Sequence, residues 1–333
     1  MKLKEYILSA HKEDVYAFYQ RINSKAEDYE KITRNDIYHN IISLYKDDPE
    51  IILRLCSMEE IQILKNLLEN KVKKKENGYI DYLLFQDLKH NYLVLESDQE
   101  YYIPEDLINC VKMAMNLLDE QAYSMEDVMI SVIIGISRVY NTLLIDDVLL
   151  ILEKYNIYYD EKSLKKYIEH QPRIMDKVKI VRYQKKDYFV SLEFLYYEDV
   201  LKLRQEFKVA TYSLEEIISF GKYKLNLFDE KVLYFLNFLE IHLDPLSIHL
   251  FLNDLIFYCG FDLNQDSILL QICDNITELY QETQKIVSYF PVWIYFGNSI
   301  HQVDDQIILP NKNDPCICGS GKKFKNCCLK KFK

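Results

Sequence analysis

The chain has 333 residues, of which 49% are hydrophobic and 28% charged, a composition typical of globular proteins and not of disordered ones. Its longest apolar runs, such as residues 129–136, are much shorter than the ~20 residues that a membrane-spanning helix needs. Its formal net charge of −11 argues against general nucleic-acid binding, because neutralising phosphates requires positive charge.

The same composition indicates the fold class and the compartment. Only 7 glycines and 7 prolines occur in the whole chain, which favours a mainly α-helical protein, and a length of 333 residues leaves room for about two domains, or one large and one small. The N-terminal residues lack the apolar core of a secretion signal. We therefore expect a cytoplasmic protein.

The first 120 residues are predicted to form a helical region that contains one β-hairpin. Ser57 and Glu60 have the spacing of a capping box and predict the start of a helix. The lysine-rich run 71–75 is interpreted as the solvated end of that helix. The remaining predicted elements are helices at 2–9, 12–21, 25–32, 36–46, 79–89 and 104–118, and strands at 92–96 and 100–103.

A second region, residues 121–207, repeats the order of helices followed by a hairpin. Ser124 is predicted to cap a helix that is apolar on nearly all sides. The predicted elements are helices at 125–139, 144–155, 161–170 and 195–207, with strands at 176–183 and 186–191. Helices followed by a two-stranded wing resemble the winged-helix fold, so we expect two small winged-helix-like units.

The third region, residues 208–300, is predicted to be wholly helical. Ser213 and Glu216 form a second capping box, and Gly260 is predicted to cap a helix C-terminus. Trp293 is interpreted as an anchor of the core. The predicted helices are 214–220, 228–241, 245–259 and 266–283, and a polar linker is predicted at 301–312.

No pattern of catalytic residues is found in these three regions. His242 and His249 could share a helix face, but they lack the sequence context of a zinc protease and are interpreted as structural. Four cysteines in apolar helical stretches are predicted to be small core residues. They are Cys56, Cys110, Cys259 and Cys273.

The last segment, residues 313–333, contains the other four cysteines. Cys316 and Cys318 precede an eight-residue return that ends at Cys327 and Cys328. Four thiolates suit the tetrahedral coordination of Zn²⁺, which predicts a zinc site. Two alternatives stay open: disulfide bonding, which would require an oxidising compartment, and a site in which one of the two adjacent cysteines is not a ligand.

This segment resembles the SEC-C motif, a zinc-binding C-terminal appendix first known from the bacterial translocase motor SecA. Residues that agree with the usual form of the motif are Asn313, Asp314, Pro315, Cys316, Cys318, Gly319, Ser320, Gly321, Lys322, Lys323, Lys325, Cys327 and Cys328. Departures are Asn311-Lys312, Ile317, Phe324 and Asn326, none of which is a ligand. In SecA the motif docks the chaperone SecB, but no SecA motor motif is present in the rest of this chain.

Charge separates this tail from the body. Residues 311–333 hold seven lysines and one aspartate, a formal charge of +6, which leaves −17 on residues 1–310. We therefore expect a non-enzymatic adaptor whose basic tail docks an unknown protein or another anionic partner. The alternatives are a nucleic-acid-associated regulator, for which a basic face on the helix before either hairpin would argue, and an enzyme with an unrecognised site.

Overall fold

Helices make up most of the structure, a computed structural model that describes residues 2–23, 26–70, 72–74, 78–97, 100–194, 197–204, 207–261, 277–300 and 302. The predicted mainly α fold class is thus confirmed. The helices are α1 (Leu3–Ser9), α2 (Lys12–Ile22), α3 (Arg34–Asp47), α4 (Glu50–Leu55), α5 (Met58–Asn70), α6 (Tyr79–His90), α7 (Ile108–Leu117), α8 (Glu120–Tyr140), α9 (Ile145–Lys154), α10 (Glu161–His170), α11 (Pro172–Met175), α12 (Tyr197–Leu203), α13 (Leu214–Tyr223), α14 (Glu230–His242), α15 (Pro245–Gly260) and α16 (Thr277–Ile286). Short 3₁₀ turns lie at Val287–Tyr289 and Trp293–Tyr295.

Two small antiparallel sheets of three strands each lie among the helices. The strands are β1 (Val72–Lys74), β2 (Leu95–Glu96), β3 (Glu100–Tyr102), β4 (Thr142–Leu144), β5 (Val178–Tyr183) and β6 (Lys186–Ser191). Their orders are β1-β3-β2 and β4-β6-β5, so in each sheet the last strand in the sequence is the central one. The winged-helix assignment and the division of the chain into five segments stay predictions.

The helix predicted at 25–32 is wrong over the part of it that is described. Side chains of α2 bind carbonyl groups that such a helix would use internally. Tyr16 Oη donates to the carbonyl of Glu27 at 2.7 Å, and Lys12 Nζ donates to that of Tyr29 at 2.6 Å. Residues 26–33 therefore run as turns and irregular chain into α3.

The interpretation of the lysine-rich run 71–75 as a helix end is also wrong over its described part. Val72–Lys74 forms β1 and pairs with β3, with Val72 opposite Tyr102 and Lys74 opposite Glu100. A strand at the edge of a sheet is a usual place for lysines, since their charge discourages pairing with another chain.

Two predicted helix ends differ from the structure. Helix α8 begins at Glu120 and not after Ser124, because the Asp119 side chain accepts hydrogen bonds from the first free backbone N–H groups. Gly260 does not cap α15 in a left-handed conformation. It is the last helical residue, and a Cβ there would lie 2.4 Å from the ring of Trp293. Of the predicted helix 266–283, residues 266–276 lie outside the described residues.

Buried apolar side chains form clusters that follow the chain and are joined by α6. That helix contributes Phe85 and Leu88 to the cluster of the first region and Tyr79 and Leu83 to the cluster of the third. Trp293 has no exposed surface, which confirms it as a core residue. No described helix combines the length and the apolar character needed to cross a bilayer.

The closest helix contact brings α8 against α13 at two glycines. A Cβ on Gly135 would lie 2.0 Å from the carbonyl oxygen of Ile217, and one on Gly221 would lie 1.9 Å from that of Ser131. The two backbones therefore touch directly, which only residues without a side chain permit. One turn after Gly135, the Arg138 guanidinium donates to the carbonyls of residues 220 and 221 at the end of α13.

We predict that Gly135→Ala lowers the free energy of unfolding by about 3 kcal/mol or more, because the new methyl group collides with backbone that cannot move aside locally. Urea unfolding followed by circular dichroism measures the change. Gly78→Ala is the control, since a Cβ there meets only a carboxylate oxygen of Glu240 at 3.9 Å. Equal stability of the two variants would contradict the close crossing.

Candidate functional site

The predicted zinc ligands Cys316, Cys318, Cys327 and Cys328 lie outside the described residues, so their assignment stays a prediction. Within the part of the chain that the structure describes, no group of three or more potential metal ligands comes together. Of the cysteines predicted to be core residues, Cys56, Cys110 and Cys259 are buried, as expected. Burial raises the pKa of the thiols of Cys56 and Cys110. Cys273 lies outside the described residues.

His242 and His249 serve structural roles in the described chain. His242 packs on the ring of Phe238. His249 packs against two tyrosine rings, and its Nε2 lies 3.0 Å from Nδ2 of Asn253. These contacts agree with the interpretation of both histidines as structural.

Charged residues of the described chain converge on a small cavity of ≈ 50 Å³, called the interior cavity, which opens to solvent at the exposed side chains of Asp87 and His90. Its charged residues come from six helices or their ends, α2, α5, α6, α8, α11 and α13, and Leu55 of α4 also lines it. The charged and polar residues that line the cavity are Arg21, Ser57, Glu59, Glu60, Asp87, His90, Asn91, Arg138, Arg173, Asp176, Lys177 and Lys222.

One chain of ion pairs connects four of the helices. Asp127 of α8 accepts from Arg173 Nη1 of α11 at 2.7 Å and lies 3.1 Å from Lys222 Nζ of α13. The same ammonium lies 2.6 Å from Glu59 of α5. Burial alone would lower the pKa of Lys222, but Asp127 and Glu59 raise it. The four side chains therefore hold α5, α8, α11 and α13 in register.

A second group of pairs surrounds Arg138. Its Nε and Nη2 donate to the two carboxylate oxygens of Glu193 at 2.7 and 2.9 Å, a bidentate arrangement. Burial alone would raise the pKa of Glu193, but Arg138 and Lys224 outweigh it and hold that pKa far below its usual range. Arg21 binds Asp176 at 2.6 Å and Asn91 at 2.5 Å, which attaches α2 to α6 and α11.

Glu60 is one of the buried groups of the described chain without a full set of partners. Its Oε2 accepts from Ser57 N, and Ser57 Oγ accepts from Glu60 N at 3.2 Å, which confirms the predicted capping box. Its other oxygen, Oε1, has no hydrogen-bond partner, as is also the case for Glu59 Oε2 and Arg21 Nε. Burial, assisted by the nearby Asp87 carboxylate, raises the pKa of Glu60 to about 7.

The size of the cavity limits what it can do. About 10–15 Å³ of such space suffices for one water molecule, whereas small-molecule sites measure roughly 300 Å³ or more. We infer that the cavity holds a few waters that satisfy the unpartnered atoms of Glu59, Glu60 and Arg21. Its role is to fix the six helices, because ion pairs across separate helices specify how they pack.

We predict that Glu60→Gln stabilises the protein at pH 8 but not at pH 5. The folded chain retains the Glu60 proton up to about pH 7, whereas the unfolded chain releases it near the ordinary value of 4.5. Between these values the folded state binds more protons, so the wild-type free energy of unfolding falls as pH rises. The variant, which keeps the capping interaction, should gain up to ~3 kcal/mol relative to wild type above pH 7.

Urea unfolding of both proteins at pH 5 and pH 8 measures this gain. Glu216→Gln is the matched control, since the box of Ser213 and Glu216 at the start of α13 makes the same two backbone hydrogen bonds at the surface. A difference between Glu60→Gln and wild type that does not change with pH would contradict the ionisation argument.

Comparison with known proteins identifies the tail. Residues 313–330 match the family described as the SEC-C motif, which confirms the resemblance. A UPF0225 protein of Haemophilus influenzae (strain Rd) is 62% identical over 55 residues, which are 16% of this chain and 30% of that protein. A UPF0225 protein of Shewanella sp. (strain ANA-3) is 42% identical over 56 residues, 17% of this chain and 31% of the relative.

A shorter stretch of the chain matches a further protein. The uncharacterized protein YecA of Escherichia coli K12 is 80% identical over 20 residues, 6% of this chain and 9% of that protein. The chain spans less than a third of the length of these relatives. No solved structure matches it. The SEC-C motif is the part of the chain to which these comparisons give a family.

Proposed function

We propose that this protein is a cytoplasmic, non-enzymatic adaptor whose SEC-C segment, residues 313–333, is a zinc-ordered docking knuckle. The observation that carries the proposal is the SEC-C match, in which all four cysteines are present at the motif's spacing. Four thiolates around Zn²⁺ would give a site of net charge −2. The lysines at 322, 323 and 325 favour the deprotonated ligands by compensating that charge.

The body is proposed to be the platform that carries this knuckle. Its proposed units are residues 1–120, 121–207 and 208–300, with a linker at 301–312. The element order α8, β4, α9, α10, α11, β5, β6 and the central place of β6 support a winged-helix-like second unit. The first unit, α5, β1, α6, β2, β3, shares the central last strand but has one helix between its first two strands, so it supports the winged-helix proposal less fully. Ion pairs in the interior cavity would keep such units in fixed relation.

The proposed partner of the knuckle is a protein with an acidic surface. The tail carries +6 over 23 residues, and a charge attraction at the surface is screened over about 8–10 Å at physiological salt. Zinc would order the segment before binding, so that less conformational entropy is lost on docking.

We predict one zinc per chain, held by Cys316, Cys318, Cys327 and Cys328. Metal analysis of the purified protein should give about one equivalent, and cobalt substitution should produce thiolate charge-transfer bands, as one four-thiolate site requires. Cys316→Ser/Cys318→Ser should lose the metal. Cys110→Ala, at a buried position in α7, is the control and should keep it. A double variant that retains its full zinc would refute the assignment.

Deletion of residues 311–333 should leave the thermal midpoint and the helical circular dichroism of the body nearly unchanged. The reason is that the body has its own buried apolar clusters. A structural zinc can supply roughly 10–16 kcal/mol to a small metal domain, so loss of cooperative unfolding on deletion would show that the knuckle is part of the core.

The docking role is tested by capture of partners on three immobilised proteins: wild type, the Cys316→Ser/Cys318→Ser variant and a Lys322→Glu/Lys323→Glu/Lys325→Glu variant whose zinc content has been verified. Partners that bind wild type and neither variant, and that are released by added salt, would support the proposal. Recovery of the same proteins on all three would exclude the knuckle as the docking site.

A further inference from the structure

The helix α10 and the hairpin β5–β6 carry an excess of positive charge in an acidic chain. Residues 160–191 contain nine lysines and arginines and five aspartates and glutamates, a net charge of +4, whereas the whole chain has −11. Local charge of this sign, placed on one helix and the hairpin that follows it, is the electrostatic pattern of a nucleic-acid-binding surface.

Exposed cations lie on α10 and at the tip of the hairpin. Leu164 and Ile168 are the buried residues of α10, whereas Lys162 and Lys166, one turn apart, are exposed. At the tip of the hairpin, Lys185 is exposed as well. None of these three lysines lies within 4 Å of a carboxylate in the described part of the chain. Glu169 is an exposed acid on the same helix.

An internal ion pair fixes the hairpin against the helix and neutralises its acid. Lys165 of α10 binds Asp187 of β6 and also Glu161, the latter at 2.5 Å. Asp187 in turn lies 2.9 Å from Arg182 Nη1 of β5. The hydrogen bond from Lys165 lowers the pKa of Asp187. The carboxylate within the hairpin is therefore compensated, and Lys162, Lys166 and Lys185 stay available for a partner.

The turn of the hairpin is an independent observation. Gln184 and Lys185 have φ of 48° and 68°, so both residues of this two-residue turn are left-handed, as in a type I′ turn. Asn-Gly is the preferred sequence of such turns, and a left-handed conformation costs an ordinary residue about 1–2 kcal/mol. A lysine at this strained position, at the end of a rigid hairpin, indicates a function for its charge.

We propose that α10 and the β5–β6 hairpin bind duplex DNA, with α10 along the major groove and Lys185 on the phosphate backbone beside it. The ten residues of α10 span ~15 Å, and a B-form major groove about 12 Å wide admits a helix. The major groove of duplex RNA is too narrow for this, which favours DNA. This inference goes beyond the docking role of the tail and does not depend on zinc.

The test is fluorescence anisotropy of a labelled mixed-sequence duplex of about 20 base pairs, titrated with the zinc-loaded full chain across a salt series, since phosphate contacts make affinity depend on salt. The variant is Lys162→Ala/Lys166→Ala/Lys185→Gly. Its matched control is Lys31→Ala/Lys46→Ala/Lys112→Ala, which removes three exposed positive charges from the first region. Neither set touches the interior ion pairs.

The variant should weaken DNA binding about ten-fold or more at 0.1 M salt and reduce the slope of log affinity against log salt by about one per lysine. Its thermal midpoint should stay at or above that of wild type, because glycine relieves the turn. The control should bind like wild type, and single-stranded DNA and duplex RNA should bind more weakly.

Four results would overturn the inference: no binding by wild type at low salt, equal losses in variant and control, equal affinity for duplex RNA, or loss of binding only in the Lys322→Glu/Lys323→Glu/Lys325→Glu variant. The last result would assign DNA to the tail. Failure of this experiment leaves the zinc and partner tests unchanged, so the two proposals are separately falsifiable.

Discussion

Direct backbone contact between α8 and α13 is the constraint on which the packing of this protein depends. The contact is reciprocal: Gly135 faces the carbonyl of Ile217, and Gly221 faces that of Ser131. Because no side chain separates the helices there, their axes come closer than ordinary ridges and grooves allow. The crossing then places Arg138 where its guanidinium donates to two carbonyls in the last turn of α13, those of Phe220 and Gly221.

Arg138 extends this constraint to the end of the body. Its own carbonyl accepts from Trp293 Nε1 at 3.1 Å, and the Trp293 ring lies on Gly260 at the end of α15. Glu193, which follows β6, completes the pairing of the guanidinium. A helix crossing, a helix C-terminus, a sheet and the indole are thus coupled through one buried residue, Arg138. Removing the Arg138 side chain would leave the buried Glu193 carboxylate without its main partner. The loss of stability would then exceed the net contribution of the ion pair.

The sequence predicted well what local patterns determine. Both capping boxes, the hairpin at 176–191 and the buried state of Trp293 are fixed by residues close in the chain or by strong apolar character. The errors have equally physical causes. The chain at 25–32 has helix-forming residues, but side chains of α2 donate hydrogen bonds to two of its carbonyl groups. Neither β1 nor β4 was predicted, because three-residue strands acquire their stability from the neighbouring strand.

The interior cavity was not predicted because its charged residues come from six helices that only the tertiary fold brings together. A signal was nevertheless present: Asp127 and Arg138 stand in a helix that is otherwise apolar on nearly all sides, and buried charges need partners. The identities of those partners, Arg173 and Glu193 among them, depend on the helix crossing and not on spacing in the sequence.

Charge distribution connects the two proposed binding surfaces. With −17 on residues 1–310, the body repels nucleic acid in general, so an exposed basic face must act at short range, within the ~8 Å over which physiological salt screens charge. Short range favours a rigid surface, because each lysine then reaches a phosphate without losing further conformational entropy. The Lys165–Asp187 pair provides that rigidity for α10 and its hairpin. The tail differs from this surface because its order is proposed to come from zinc. Its attraction to a partner should therefore depend on metal as well as on salt.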